Sequence, residues 1–201
     1  MRSGLRPEDA ALLSTLRMGA PAAVEALFDR YQERVYGLAM SILMNKNDAE
    51  EATREVFLAM VGKADRFQWS PALHFWIYRI CVNSCLMRLR KGRRTETVPI
   101  EDFLPVFTGE GAHARLVEDW SREVEFRIPD QQLGRVIGGF TAALPENYLV
   151  VFALRDVQGF SNEETAQVLN LTIAEVKSRF YRARFYLRER LSRYLRDART
   201  V

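Results

Sequence analysis

The stretch that decides the fold is residues 161–180, SNEETAQVLNLTIAEVKSRF. Ser161 and Glu164 have the spacing of a capping box, which predicts the start of a short helix. A small residue, Ala166, would let that helix cross a second helix closely. Asn170 follows at a tight turn, where asparagine tolerates a left-handed backbone better than other non-glycine residues. Together these offsets predict a helix-turn-helix.

The second helix of this motif is predicted to start after a cap at Thr172 and to run long. Its apolar stripe would consist of Ile173, Val176, Phe180, Ala183, Leu187 and Leu191. The outward face of such a helix enters the major groove of duplex DNA, where side chains contact base edges and phosphates. The candidate DNA-binding residues are Glu175, Lys177, Ser178, Arg179 and Arg182. An ordinary amphipathic hairpin with a solvated basic face stays the alternative.

Helical periodicity also fills the N-terminal half of the chain. Apolar residues recur at steps of three and four over residues 24–44, which predicts one helix. A second helix is predicted from a cap at Asp48 to near Gly62, and a third over about 71–91. Periodicity fails over 95–130, where proline and glycine recur, and a last helical unit starts near Gln131.

The predicted fold class is therefore all-α, with two small helical domains joined by a linker. The predicted parts are a helical bundle at 1–94, an acidic linker at 95–130 and the helix-turn-helix domain at 131–201.

Charge is unevenly distributed over these parts. Residues 1–94 hold 15 Lys and Arg against 10 Asp and Glu, residues 95–160 hold 5 against 11, and residues 161–201 hold 9 against 5. Two basic segments flanking an acidic one suggest a polyanion bound at two places. Composition alone leaves solvated basic helices as the alternative.

The sequence lacks the signals that are typical of membrane, secreted, metal-binding and enzymatic proteins. There is no run of 18 apolar residues, and the N-terminal MRSGLRPEDAALLS lacks the apolar core of a signal peptide, so we expect a cytoplasmic protein. The only cysteines are Cys81 and Cys85, and the only histidines are His74 and His113, so we expect half-buried free thiols and no metal site. No nucleophile-base pair or glycine-rich phosphate loop is present, so we expect no cofactor and no enzymatic activity.

Two blocks of the sequence resemble sigma-70-family factors of bacterial RNA polymerase. Residues 152–161, FALRDVQGFS, with the basic positions of 176–184, resemble region 4, which binds the −35 promoter element. Residues 27–94 resemble region 2: 48–57 is similar to the helix that docks on core polymerase, and 67–83 to the segment that binds the −10 element. Both blocks occur in order without intervening regions, which is similar to the extracytoplasmic-function group.

The resemblance implies a promoter-specificity subunit that opens DNA, and it implies roles for individual residues. The implied −10 DNA contacts are Phe67, Trp69, Ser70, Arg79, Asn83, Arg88, Arg90 and Lys91. The implied contacts with core polymerase are Asp48, Glu50, Glu51, Glu55 and Phe57. The helix-turn-helix residues given above would then bind the −35 duplex. Implied partners are core RNA polymerase (its β′ clamp helices and β flap), promoter DNA and an anti-sigma factor, with nucleoid association when polymerase is bound.

Four residues, at three places in the chain, differ from the usual family pattern. Arg54 stands where glutamine is common, Asn170 where the turn usually has glycine, and Ala174-Glu175 where Gly-Thr is frequent. Two alternatives remain at this point: a stand-alone helix-turn-helix regulator that binds operator DNA, and a protein that mimics region 2 to titrate a partner. The aromatic residues at 67–69 and the basic segment at 88–94 favour the sigma interpretation over both.

Overall fold

The computed structural model describes Thr15 and residues 21–63, 73–92 and 130–197. Its helices are α1 (Pro21–Leu43), α2 (Lys46–Lys63), α3 (Leu73–Gly92), α4 (Asp130–Ala142), α5 (Glu146–Phe152), a π-helical turn (Ala153–Val157), α6 (Asn162–Leu169) and α7 (Ile173–Asp197). Within these ranges there is no strand, and the all-α prediction is confirmed.

The chain forms two compact units. The first joins the described residues up to Gly92 with Ala153–Ile173, and the second joins Asp130–Phe152 with Ala174–Asp197. The π-helical turn and α6 thus belong with α1, α2 and α3. The linear division into 1–94, 95–130 and 131–201 stays a prediction, because residues 93–129 lie outside the described part.

Helices α1, α2 and α3 pack on one another through the stripes that their periodicity predicts. On α1 the fully buried side chains include Leu27, Val35, Leu38 and Ile42. Each buried aliphatic side chain of this size contributes about 1.5–3 kcal/mol relative to exposure. The stripe therefore holds α1 in the centre of the first unit.

Helix α3 contributes both thiols to this core. Cys81 and Cys85 are free thiols, as expected from the sequence, but they are fully buried and not half-buried. A hydrogen bond with Cys85 and burial both raise the pKa of the Cys81 thiol well above its ordinary value. Cys81 Sγ also lies 3.6 Å from the carbonyl oxygen of Val35 on α1, so these thiols act as small packing residues.

The start of α2 corrects one prediction. The cap is Asn45, whose Oδ1 accepts a hydrogen bond from the Asp48 N–H at 3.1 Å, so the predicted cap at Asp48 is wrong. Asp48 lies in the first turn, where its carboxylate is stabilised by the helix dipole. Both residue types are good caps, and Met44 with φ 52° turns the chain one step before Asn45.

The predicted caps of α6 are confirmed. The Glu164 N–H donates to Ser161 Oγ at 3.1 Å, and the Ser161 N–H donates to Glu164 Oε2 at 2.8 Å. Asn170 has φ 54° and ψ 50°, and its N–H and that of Leu171 both donate to the Ala166 carbonyl. This left-handed residue ends the helix and lets the Leu171 N–H add a second hydrogen bond to the Ala166 carbonyl.

In the second unit, α5 and α7 supply most of the buried side chains. Leu149 and Val151 of α5 and Ala183 of α7 are fully buried. The predicted stripe of α7 is partly wrong, because Ile173 is exposed at the first turn while Tyr186 is buried. Tyr186 lies three residues after Ala183, so the buried face is rotated towards it from the predicted line.

Candidate nucleic-acid interface

The predicted DNA-binding residues of α7 lie on its accessible side. Glu175, Lys177 and Ser178 are exposed, and Arg179 and Arg182 are half-buried. Arg179 Nη2 lies 3.8 Å from Glu175 Oε1, one helical turn earlier. Arg182 Nη1 donates to the hydroxyl of Tyr148 on α5 at 3.4 Å, a contact within the second unit. The helix thus presents hydrogen-bonding groups in its first turns and arginines behind them.

The residues that the sequence assigned to −10 DNA lie on two different faces of α3. At about 100° per residue, Arg79, Asn83 and Arg90 fall within about 40° of one another. By the same geometry Ser84, Arg88 and Lys91 form a second stripe centred about 120° from the first, with Arg88 farthest from it. Asn83, Arg90 and Lys91 are exposed. The structure therefore separates Arg88 and Lys91 from the other α3 residues of the predicted set.

Arg79 is engaged by the end of α6. Its Nε donates to the Val168 carbonyl at 3.1 Å, and its Nη2 donates to the Gln167 carbonyl at 2.5 Å. Carbonyls in the last turn of a helix lack intrahelical partners, and a cation there also complements the helix dipole. Nearby, the ring of Phe160 meets the ring of Tyr78 edge to face at 4.8 Å. Tyr78 is buried, so it belongs to the core.

Arg88 joins two acids of α2 on the other face of α3. Its Nη1 lies 2.6 Å from Glu51 Oε2, and its Nη2 lies 2.6 Å from Glu55 Oε1. Ser84 Oγ donates to the second oxygen of Glu55 at 2.6 Å. We call Glu51, Glu55, Ser84 and Arg88 the carboxylate cluster.

Titration behaviour within the carboxylate cluster follows from these bonds. The pKa of Glu55 is lowered chiefly by the Ser84 hydrogen bond, with further help from Arg88 and against a smaller effect of burial. Burial acts to lower the pKa of Arg88, but the hydrogen bonds that it donates to Glu51 and Glu55 outweigh burial, and the pKa is raised. Each charged form thus stabilises the other.

The outward face of α2 carries the other predicted polymerase contacts and one residue that the sequence argument missed. Asp48 and Glu50 are exposed. Phe57, in contrast, is only 7% exposed, and its ring contacts the ring of Phe28 in a tilted arrangement with 4.8 Å between centroids, so its side chain serves the packing of α1 on α2. Leu58 is 71% exposed and follows Glu51 and Glu55 at helical spacing, a pattern visible in the sequence once Phe57 is placed inside.

Three of the predicted −10 residues, Phe67, Trp69 and Ser70, lie outside the described residues. In the described part, no group of His, Cys, Asp and Glu is arranged to hold a metal ion. No helix described in the structure is long and apolar enough to cross a membrane.

Two family models match the chain in the order that its sequence predicts. Residues 27–95 match Sigma-70 region 2, and residues 139–184 match Sigma-70 region 4. The first match covers the carboxylate cluster and the described residues of α3 that were assigned to −10 DNA. The second covers α5, α6 and the first half of α7.

Relatives match over most of the chain. The ECF RNA polymerase sigma factor SigM of Mycobacterium tuberculosis is 32% identical over 187 residues, which cover 93% of this chain and 86% of that one. The ECF RNA polymerase sigma-E factor of Haemophilus influenzae is 30% identical, with 88% and 91% covered.

Solved structures share the fold. CnrH, solved in complex with the cytosolic domain of CnrY, has a TM-score of 0.62 at 22% identity, with 94% of this chain and 96% of that one covered. The sigma factor RpoE, solved in complex with the anti-sigma factor NepR from Bartonella quintana, has a TM-score of 0.57 at 21% identity, with 83% and 95% covered. With the two regions in order and relatives of 30% identity or more along most of its length, this chain belongs to the extracytoplasmic-function (ECF) RNA polymerase sigma factors of the sigma-70 family.

Proposed function

We propose that this chain is the promoter-specificity subunit of a bacterial RNA polymerase, acting in the cytoplasm and on the nucleoid, without catalysis of its own. It binds core enzyme, recognises the −35 duplex and captures the −10 non-template strand as the DNA opens. The observation that carries the proposal is the presence of both sigma regions in one chain, in order, with relatives named as sigma factors along most of its length.

The −35 duplex would be bound by α7. Exposed Glu175, Lys177 and Ser178 lie in its first turns, where a recognition helix meets base edges. A glutamate there accepts a hydrogen bond from a cytosine amino group. Arg179 and Arg182 follow along the helix, and their guanidinium groups would contact phosphates.

The −10 strand would be bound by the face of α3 that carries Arg79, Asn83 and Arg90, together with the preceding segment. Taking a base out of the stack costs a few kcal/mol. Stacking it on an aromatic side chain such as Phe67 or Trp69 returns about 1–3 kcal/mol per base. Ser70 would supply a hydrogen bond there. Strand capture can therefore offset most of the cost of opening.

Core polymerase would dock on the outward face of α2. Asp48, Glu50, Glu51 and Glu55 make this face acidic, and Leu58 adds an exposed apolar side chain. Such a surface complements a basic partner with an apolar centre, as we propose for the β′ clamp helices, while region 4 meets the β flap.

We also propose that an anti-sigma factor binds this chain. The support is the fold shared with CnrH and RpoE, each solved with a partner protein, of which NepR is named as an anti-sigma factor.

Transcription reconstituted from purified parts tests the proposal. We expect the chain to co-purify with core polymerase and to direct initiation at defined start sites. A stand-alone regulator would instead shift duplex DNA strongly without polymerase. Absence of both core binding and specific initiation would overturn the sigma function.

A further inference from the structure

The position of Arg88 does not suit a DNA contact. Its side chain is 19% exposed, and the two carboxylates that cover its guanidinium are 58% and 54% exposed. A phosphate approaching Arg88 would first meet Glu51 and Glu55, which repel it. The opposite face of α3 presents Arg79, Asn83 and Arg90, and the helix itself contains no acid.

The same geometry suits a role towards α2. The guanidinium fork reaches two acids that stand one turn apart on the neighbouring helix, with one nitrogen for each carboxylate, both at 2.6 Å. Glutamate side chains on an exposed helix normally sample several rotamers, and ordering them costs entropy when a partner binds. Ser84 holds the remaining oxygen of Glu55, so this carboxylate is fixed at both oxygens.

Leu58 places the carboxylate cluster on the docking face. At about 100° per residue, Glu51, Glu55 and Leu58 lie within about 60° of one another on α2. A partner that covers Leu58 would therefore contact both carboxylates in the orientation that Arg88 sets.

We propose that Arg88 is a positioning residue for polymerase docking, which holds Glu51 and Glu55 ready for a basic surface of core enzyme and makes no contact with promoter phosphates. This inference rests on the proposed sigma function. It transfers Arg88 from the −10 site, where the sequence placed it, to the docking site.

The experiment measures two affinities for each of two arginine variants. R88Q and its matched control R90Q remove the same charge from opposite faces of α3. Fluorescence anisotropy of labelled chain with core polymerase, in the absence of DNA, gives docking affinity. Capture of a single-stranded −10 oligonucleotide by the assembled holoenzyme, at core concentrations that saturate each variant, gives strand affinity.

We expect R88Q to weaken docking about 2- to 5-fold, the loss typical of a partly exposed charge-assisted pair, and to leave strand capture unchanged. R90Q should do the opposite. R88K keeps the charge without the planar fork and should recover only part of the docking affinity. In the E51Q/E55Q background, R88Q should cause no further loss, because Arg88 acts through those two carboxylates.

A merely structural role is separated by the thermal unfolding midpoint. If R88Q docked as tightly as the wild type at temperatures where both are fully folded, the docking loss would reflect stability alone and the inference would fail. Wild-type docking with reduced strand capture in R88Q would identify Arg88 as a phosphate contact and also overturn it. If the wild-type chain itself did not bind core polymerase, the proposed sigma function would be wrong, and this outcome is distinct from a failure of the inference about Arg88 alone.

Discussion

Asn170 ends α6 in a conformation that few side chains tolerate. With φ 54° and ψ 50°, it lies in the left-handed region, where a Cβ crowds the following carbonyl. Asn170→Val should lower the free energy of unfolding by about 1–2 kcal/mol, whereas Asn170→Gly should cause no loss. Urea denaturation measures both.

Asn162→Val is the matched control for this prediction. Asn162 is the first residue of α6, where asparagine and valine have similar helix propensities, so a change of only a few tenths of a kcal/mol is expected. Equal losses at 162 and 170 would show that the left-handed backbone is not what the asparagine supplies.

Ser84 controls the ionisation of Glu55. Ser84→Ala removes the hydrogen bond that contributes most to the lowered pKa of Glu55, so that pKa should rise towards its ordinary value of 4.5. A carboxyl with a lowered folded-state pKa adds stability above its unfolded pKa and loses it as pH falls through the folded one. Ser84→Ala should therefore lose stability at neutral pH and show a weaker decline in acid.

Carboxyl NMR titration of Glu55 measures this shift directly. Ser41→Ala is the control, because the Ser41 hydroxyl donates to the Leu38 carbonyl and to no carboxylate. A Glu55 titration unaffected by Ser84→Ala would contradict the cluster geometry.

Local chemistry explains which residues were predictable. The cap of α6 depends on Ser161, Glu164 and Asn170, all within ten positions, and the sequence predicted all three. The cap of α2 was assigned to Asp48 because aspartate and asparagine are nearly equivalent caps, and only the backbone shows that the helix starts after Asn45. The pairing of Arg88 with Glu51 spans 37 positions, so no local pattern could indicate it.

At the scale of elements, Gly37 marks where α1 meets the segment after α5. A Cβ built on Gly37 would lie 3.4 Å from Gln158 Nε2, which follows the π-helical turn. Gly37→Leu should add helix propensity to α1 but push this segment away, because the longer side chain needs the space of Gln158. Hydrogen exchange at the Phe160 amide, which donates to the Leu154 carbonyl, should accelerate.

Gly62→Leu is the control for this displacement. Within the described part of the chain, a Cβ on Gly62 would have no atom within 4 Å outside its own stretch of helix, so the same substitution on α2 makes no such clash. Its exchange rate at Phe160 should equal that of the wild type. Acceleration in both variants would attribute the effect to altered helices and not to the contact at Gly37.

Periodicity predicted the helices but not their partners. Stripes spaced at three and four residues set the bounds of α1, α3 and α4 to within a few positions. The packing of α6 on α3 depends on the contact of the Phe160 ring with Tyr78 and on the hydrogen bonds from the Arg79 guanidinium to two carbonyls at the end of α6. Such fits depend on shape between distant segments, which a hydrophobic pattern does not encode.

At the scale of the whole molecule, the two DNA contacts should separate in function. Arg182→Ala should weaken binding of a −35 duplex, because α7 loses a phosphate contact worth a few-fold in affinity. Trp69→Ala should spare that binding and reduce open-complex formation, since a stacking platform for a −10 base is lost. Permanganate footprinting and duplex binding by the holoenzyme measure the two effects. Equal effects of both variants on closed complexes would contradict this division.

The fold class and the two regions were predictable because each carries its own amphipathic helices and a specific block of residues. The association of Ala153–Ile173 with the N-terminal helices was not, because it joins parts of the chain that lie on either side of residues 93–129. The sequence argument assigned all basic residues of α3 to DNA and did not separate the two faces of this helix. A count of charges does not say in which direction each side chain points.

The contact between Arg79 and the end of α6 has a consequence for how the two promoter elements communicate. Two of the five N–H donors of the Arg79 guanidinium are taken by the carbonyls of Gln167 and Val168, so molecules in which α6 has left α3 offer Arg79 more fully to the −10 strand. Apparent affinity falls by the fraction in that competent state. A −35 duplex that draws the helix-turn-helix away would enlarge this fraction, and by reciprocity a bound −10 strand would favour the −35 contact. Two DNA sites that never touch would then be bound cooperatively.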